Sequence, residues 1–174
     1  MRPVDLKKKS TVINQSFNKK YINHLAHITM KEFIELWKEG RTRFTNLLEV
    51  IQEPDLSKMN GESPNSAGFL IRHIAEVELL FAKNVFGSKE VKIVAKTLIA
   101  GKDTGEWTDL EELKQISNYA AEMLEKAILT TKNWSEVIET KEFGKKTKAA
   151  AFGRIVTHTA YHSGQLALIL KYGN

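Results

Sequence analysis

The sequence predicts an all-α protein built as a four-helix bundle, and three observations carry that prediction. Four segments of bundle length place apolar residues at helical spacings of three, four and seven. The loops between them are too long for tight hairpins, and no segment shows a convincing alternation of apolar and polar residues. At 174 residues with 42% apolar content, the chain is one ordinary domain. A domain of this length buries roughly 70% of the surface its unfolded chain exposes, so it needs no metal or disulfide to hold the fold. A metal found here therefore points to chemistry.

The first helix spans residues 30–51, where Phe33, Leu36, Trp37, Phe44, Leu47, Leu48 and Ile51 form one apolar stripe and Gly40 is tolerated. The segment QEPDLSKMNGESPN gathers Pro54, Gly61, Pro64 and several Asx and Ser residues, the composition of a long loop. Ser66 can cap a second helix running through AGFLIRHIAEVELLFAKNVF, which Gly87 stops. This helix is apolar over most of its circumference and should be the most buried of the set. A short helical piece is expected over residues 89–99, followed by the loop GKDTGEW.

Thr108 or Asp109 then opens a third helix with Leu110, Leu113, Ile116, Ala120, Met123, Leu124 and Ala127 along one stripe. The last helix begins near Ala149 and runs to a stop at Gly173. Residues 1–29 form a basic appendage with no legible structure, leaving residues 30–174 as the bundle domain.

The net charge of +5 comes from 26 Lys and Arg against 21 Asp and Glu. Arg2, Lys7, Lys8, Lys9, Lys19 and Lys20 against Asp5 alone account for all of it within the first 20 residues. A second cluster, Lys141, Lys145, Lys146, Lys148 and Arg154 against Glu142, has Gly144 in its middle and reads as a turn leading into a helix. Neither cluster is interleaved with aromatics as a single-strand binding platform would be. The two read as a mobile basic arm and a solvated loop, and nucleic acid is not the expected partner.

There is no cysteine, which excludes disulfides, thiolate zinc sites and cysteine nucleophiles. No run of 18 apolar residues occurs and the basic start is not followed by a signal-like apolar stretch, so the expectation is a cytoplasmic protein that does not enter membranes.

Three of the five histidines sit where histidine is hardest to explain structurally. His158 and His162 are four apart on the last helix, so one face presents both rings with Cβ atoms about 5 to 6 Å apart. Ile155 precedes them and Gln165 follows on the same face. His73 lies in the most apolar helix, among Leu70, Ile74 and Val77. An imidazole in such a stripe must find partners or incur a desolvation cost of about 1 to 3 kcal/mol. One divalent ion satisfies a nitrogen of all three rings at once and keeps at least one coordination position open, as in a catalytic site. A lone buried histidine is more often hydrogen-bonded core than ligand, and HxxxH alone is only moderately specific. The combination of the three carries the reading.

Other metal and nucleophile motifs are excluded. A zincin needs glutamate after the first histidine, where Thr159 stands. A di-iron bundle needs ExxH pairs, but Leu70, Ile155 and Thr159 occupy the positions three before the histidines. Glu76 is the nearest acid on the His73 face; it could serve as a proton shuttle or a hydrogen-bond acceptor behind the ligands, and reads first as a polar residue at the stripe's edge. His24 and His27 fall in the appendage and read as surface or packing residues. Ser163 lies on the helix beside His162, not on a sharp elbow, and no GxSxG occurs.

At FLIRHIAEVE, which holds His73, and HTAYHSGQL, which runs from His158 to Leu166, the chain resembles the DinB-like superfamily of metalloenzymes. The resemblance covers about residues 30 to 172. It implies a long crossover between helices 2 and 3 of the bundle, frequent homodimerisation, and a divalent ion, typically nickel or zinc. Carried over by position, the metal ligands would be His73, His158 and His162. It further implies a small-molecule substrate and a metal-dependent enzyme such as a low-molecular-weight-thiol S-transferase, the thiol serving as cofactor. A metal-dependent hydrolase and a non-catalytic metal- or ligand-binding bundle are the alternatives.

Overall fold

The computed structural model describes residues 30–140 and 144–174. The appendage over 1–29, with His24 and His27, and Lys141 and Glu142 of the second basic cluster lie outside the described residues.

Helix α1 covers residues 30–50 and buries Ile34, Trp37, Arg41, Phe44 and Leu48 at spacings of three and four. The expected stripe was rotated slightly: Leu36 is exposed, while Ile34 and Arg41 face inward. Arg41 belongs there because its charge is paired, its Nε donating to Glu78 at 3.1 Å and its Nη2 to the Ser117 carbonyl at 2.9 Å. Gly40 lets α1 lie close to the last helix, since a Cβ there would stand 2.6 Å from Cγ1 of Val156.

Helix α2, Ala67–Leu80, is capped by the Ser66 hydroxyl, which accepts from the Phe69 N–H at 3.2 Å. It buries every residue except His73 and Leu80, as its composition predicts. Gly68 is required by close approach: a Cβ would fall 1.9 Å from the Trp107 carbonyl oxygen. The helix continues as a π-turn, Phe81–Val85, before Gly87.

The expected helical piece over 89–99 is shorter and later. Helix α3 spans Lys96–Ala100, and its N-cap, Ala95, offers no side-chain acceptor. The carboxylate of Glu76 supplies it from α2, accepting from the N–H groups of Lys96 at 3.1 Å and Thr97 at 2.9 Å. The helix therefore begins where an acceptor is available, six residues or so beyond Glu90.

Helix α4, Leu110–Thr130, is opened by Asp109, whose side chain accepts from the Glu112 N–H at 2.9 Å. Its stripe is the expected one, with Leu113, Ala120, Met123, Leu124 and Ala127 buried and Ser117 added beneath Arg41. Two short strands follow that the sequence reading did not anticipate. Strands β1, Val137–Thr140, and β2, Gly144–Thr147, pair antiparallel from Val137↔Thr147 to Thr140↔Gly144. Neither buries a side chain fully, so no apolar alternation marks them. Their base is held by Trp134, whose ring packs on Phe33, Phe86 and Phe152.

Helix α5, Lys148–Tyr172, starts at the Thr147 cap, whose hydroxyl accepts from the Ala150 N–H at 3.1 Å. The organisation is all-α apart from the small ribbon: α2 packs against both α4 and α5, and α1 is tied to α2 and α4 through Arg41. The long connection between α2 and α4 carries α3 back onto α2, beside His73.

Candidate metal centre

Helix α5 buries Ile155, Thr159, Ser163 and Leu166. Thr159 and Ser163 are small, and both hydroxyls are used internally, Thr159 toward Glu78 and Ser163 toward the Thr159 carbonyl. Ser163 is thus a packing residue, consistent with its exclusion as a nucleophile. His158 and His162 flank this buried stripe and are only partly covered. On α2, His73 is one of the two residues not fully buried, and it faces them.

All three histidines expected to act together are brought to one place. The ring centroids of His73 and His158 are 5.1 Å apart, of His73 and His162 4.9 Å, and of His158 and His162 4.5 Å. One ring nitrogen from each lies within 4.8 Å of the others, a group that can hold a metal ion. Nε2 of His73 and Nε2 of His158 stand 3.2 Å apart. Two nitrogens bound tetrahedrally at about 2.0 to 2.1 Å from one ion would be separated by roughly 3.3 Å.

The hydrogen bonds behind two of the rings fix which nitrogen is free. The Thr97 hydroxyl donates to the Glu76 carboxylate at 2.6 Å. Its oxygen is then left to accept, and it accepts from Nδ1 of His73 at 3.3 Å. The Gln165 side-chain nitrogen donates to the Tyr161 hydroxyl at 3.2 Å, leaving its oxygen to accept from Nδ1 of His162 at 2.6 Å. In both rings Nδ1 then carries the proton and Nε2 is left with its lone pair, which in His73 accepts from Nε2 of His158 at 3.2 Å. Nδ1 of His158 is buried with no hydrogen-bond partner.

The rings are held neutral. Burial, reinforced by the neighbouring His162, pushes His73 down to about 4 against an upward pull from Glu76. Burial, then His162, His73 and Arg154, push His158 down to about 3. Burial also lowers His162, opposed by its bond to Gln165. Neutral imidazole is the form that ligates a cation, so near pH 7 the donor set is ready without proton loss.

Glu76 departs from the expectation of an edge residue. It is completely buried, ion-paired with Arg72 at 2.8 Å, and bonded to Thr97 behind His73. Arg72 in turn reaches Glu112 at 2.8 Å, which ties the assembly to α4. Thr97 carried no signal in the sequence, since it lies in a connection without a motif and reaches the site only because Glu76 places α3 there.

Beside the rings is a cavity of about 220 Å³, walled in part by His73 and His158 and otherwise mainly by Val77, Leu80, Phe81 and Leu98. Among the described residues no helix is long and apolar enough to cross a membrane.

The family model of the DinB superfamily matches residues 36–166, a span that contains all three histidines. No curated protein matches the chain.

Proposed function

The chain belongs to the DinB superfamily, and from that premise and the converging imidazoles we propose that it binds one divalent metal ion through His73, His158 and His162 and works as a metal-dependent enzyme. The observation that carries this reading is the orientation of the rings. Thr97 and Gln165 take the Nδ1 protons of His73 and His162 and leave Nε2 of each as the free nitrogen, while one nitrogen from each of the three rings lies within 4.8 Å of the others. In the metal-free form the 3.2 Å contact between Nε2 of His158 and Nε2 of His73 is a hydrogen bond, and a cation at the centre would take the place of its proton.

Imidazole donors suit nickel and zinc. When bound by three imidazoles, such an ion supplies an open position at which a thiol or water is deprotonated near neutral pH. The chain contributes the rest. The apolar cavity beside His73 and His158 excludes water and receives a small-molecule substrate, and Glu76 holds Thr97, which holds the His73 ring. We favour transfer to or from a low-molecular-weight thiol, since the protein has no cysteine of its own and an external thiol would supply the sulfur. Hydrolysis uses the same open position and is the alternative. Homodimerisation belongs to this reading as well; Tyr161, Leu168 and Tyr172 leave an exposed row on α5.

The test is equilibrium dialysis against zinc or nickel followed by elemental analysis, then turnover assays with small thiols and electrophiles. The expected result is one ion per chain, lost in His158→Ala, with turnover that follows the metal content. Full metal content in His158→Ala would overturn the ligand assignment. Stoichiometric metal with no turnover would identify a non-catalytic metal-binding protein.

A further inference from the structure

The cavity beside the histidines is lined by the apolar Val77, Leu80, Phe81 and Leu98, with Asn84 and two of the histidine rings as neutral polar groups and Arg154 as its one permanent charge. Val77 and Phe81 are 8% and 4% exposed and form its covered part, while Leu98, 44% exposed, stands where it opens to solvent. Arg154 lines the same cavity from α5, one turn before His158, and is itself exposed. Arg41 and Arg72 are both committed to buried glutamates. No carboxylate among the described residues pairs with Arg154, and none lines the cavity.

A guanidinium at the mouth of an apolar pocket has two fates: hydration, or a planar anion that it engages with two parallel N–H donors. The pocket favours the second, because a ligand that fills the apolar part and carries an anionic end finds one cationic side chain in the lining, Arg154. The size also fits a small molecule, since an apolar cavity of about 150 Å³ already admits a benzene-sized body and this one is about 220 Å³.

We infer that the cavity binds a small carboxylate with an apolar, ring-sized body, its carboxylate paired with Arg154 and its other end toward the histidine cluster. This deepens the metal-enzyme reading, which it uses only for what the far end of the ligand meets. Arg154 is thereby the residue that selects the charge of the substrate.

Phenylacetate and its neutral analogue phenylacetamide separate the charge from the shape. Their affinities for the full-length, EDTA-treated protein are measured by calorimetry at low salt, where no bound ion can attract the carboxylate. Phenylacetate is expected to bind at least about tenfold more tightly than phenylacetamide, in line with a charge-assisted hydrogen bond. In Arg154→Gln the two should agree within about twofold, with phenylacetamide binding unchanged, and Arg154→Lys should keep part of the preference. Equal binding of the two probes by the wild-type protein, no binding of either at millimolar concentration, or a preference that survives in Arg154→Gln would each overturn the proposal. Zinc stoichiometry, read separately on wild type and Arg154→Gln, tests the metal reading alone: wild-type protein that takes up no zinc would sink that reading and leave the carboxylate result standing.

Discussion

The carboxylate of Glu76 accepts both the backbone N–H of Thr97, at 2.9 Å, and its hydroxyl, at 2.6 Å. One side chain of α2 thus caps α3 and, through the Thr97 oxygen, fixes the ring of His73, also on α2. The centre is supported from behind by the connection that crosses over it.

Removing this support should weaken metal binding without removing a ligand. Thr97→Val keeps the shape and deletes the hydrogen bonds; it is expected to lower zinc affinity about 10- to 100-fold, the usual cost of losing a partner behind a metal-bound histidine. Competition against a chromogenic chelator reads this directly, and a Thr97→Ser variant should restore most of it. Unchanged affinity in Thr97→Val would show that His73 is oriented by packing alone.

The His162 side of the centre makes a parallel case. Gln165→Leu removes the acceptor of the Nδ1 proton, and a loss of similar size is expected, with helix content by circular dichroism unchanged. Gln165→Glu offers a stronger acceptor and should bind zinc at least as well as the wild-type protein.

The pH dependence follows from the depressed histidines. Because the folded values of His73 and His158 lie below the ordinary 6.5, the unfolded chain binds more protons between about pH 6.5 and 4. The metal-free protein should therefore lose stability as pH falls through that window, by at most about 1.4 kcal/mol per histidine per pH unit and by less where solvent reaches the rings. Denaturant titrations at several pH values measure it. Zinc affinity should fall less than about fivefold from pH 8 to 6, whereas three unperturbed histidines would lose about 70-fold.

The fold makes its own demands at two positions. Gly68→Ala should destabilise by about 2 to 3 kcal/mol, because its Cβ would collide with the Trp107 carbonyl, which is backbone and cannot rotate away. Arg41→Met would leave Glu78 buried without its cation and should cost about 3 to 5 kcal/mol by urea denaturation. The Glu78 carboxyl is already raised by burial against the pull of Arg41, so the variant should be least destabilised at acidic pH, where that group is protonated.

Much of this centre was legible in the residues. The spacing of His158 and His162 and the apolar setting of His73 marked them because imidazoles in apolar stripes need a reason, and the structure brings the three together. The long helices were equally readable from Ser66, Asp109 and the stripes they open. What was not legible depends on contacts between distant segments. Glu76 looked like an edge residue because its partners, Arg72 apart, come from α3, about 20 residues further along the chain. Arg154 was counted with the lysines near Gly144, although Lys148 pairs with Glu136 while Arg154 faces the cavity. The two strands pair through backbone groups with exposed side chains, a pattern that leaves no hydrophobic signal.

A crystal structure of the zinc-soaked protein, with anomalous data collected on both sides of the zinc absorption edge, tests the central claim most directly. The account predicts one anomalous peak per chain, bonded to Nε2 of His73, His158 and His162, with a further position open toward the cavity. A peak that touches fewer than three of these nitrogens, or none between the rings at saturating zinc, would contradict it.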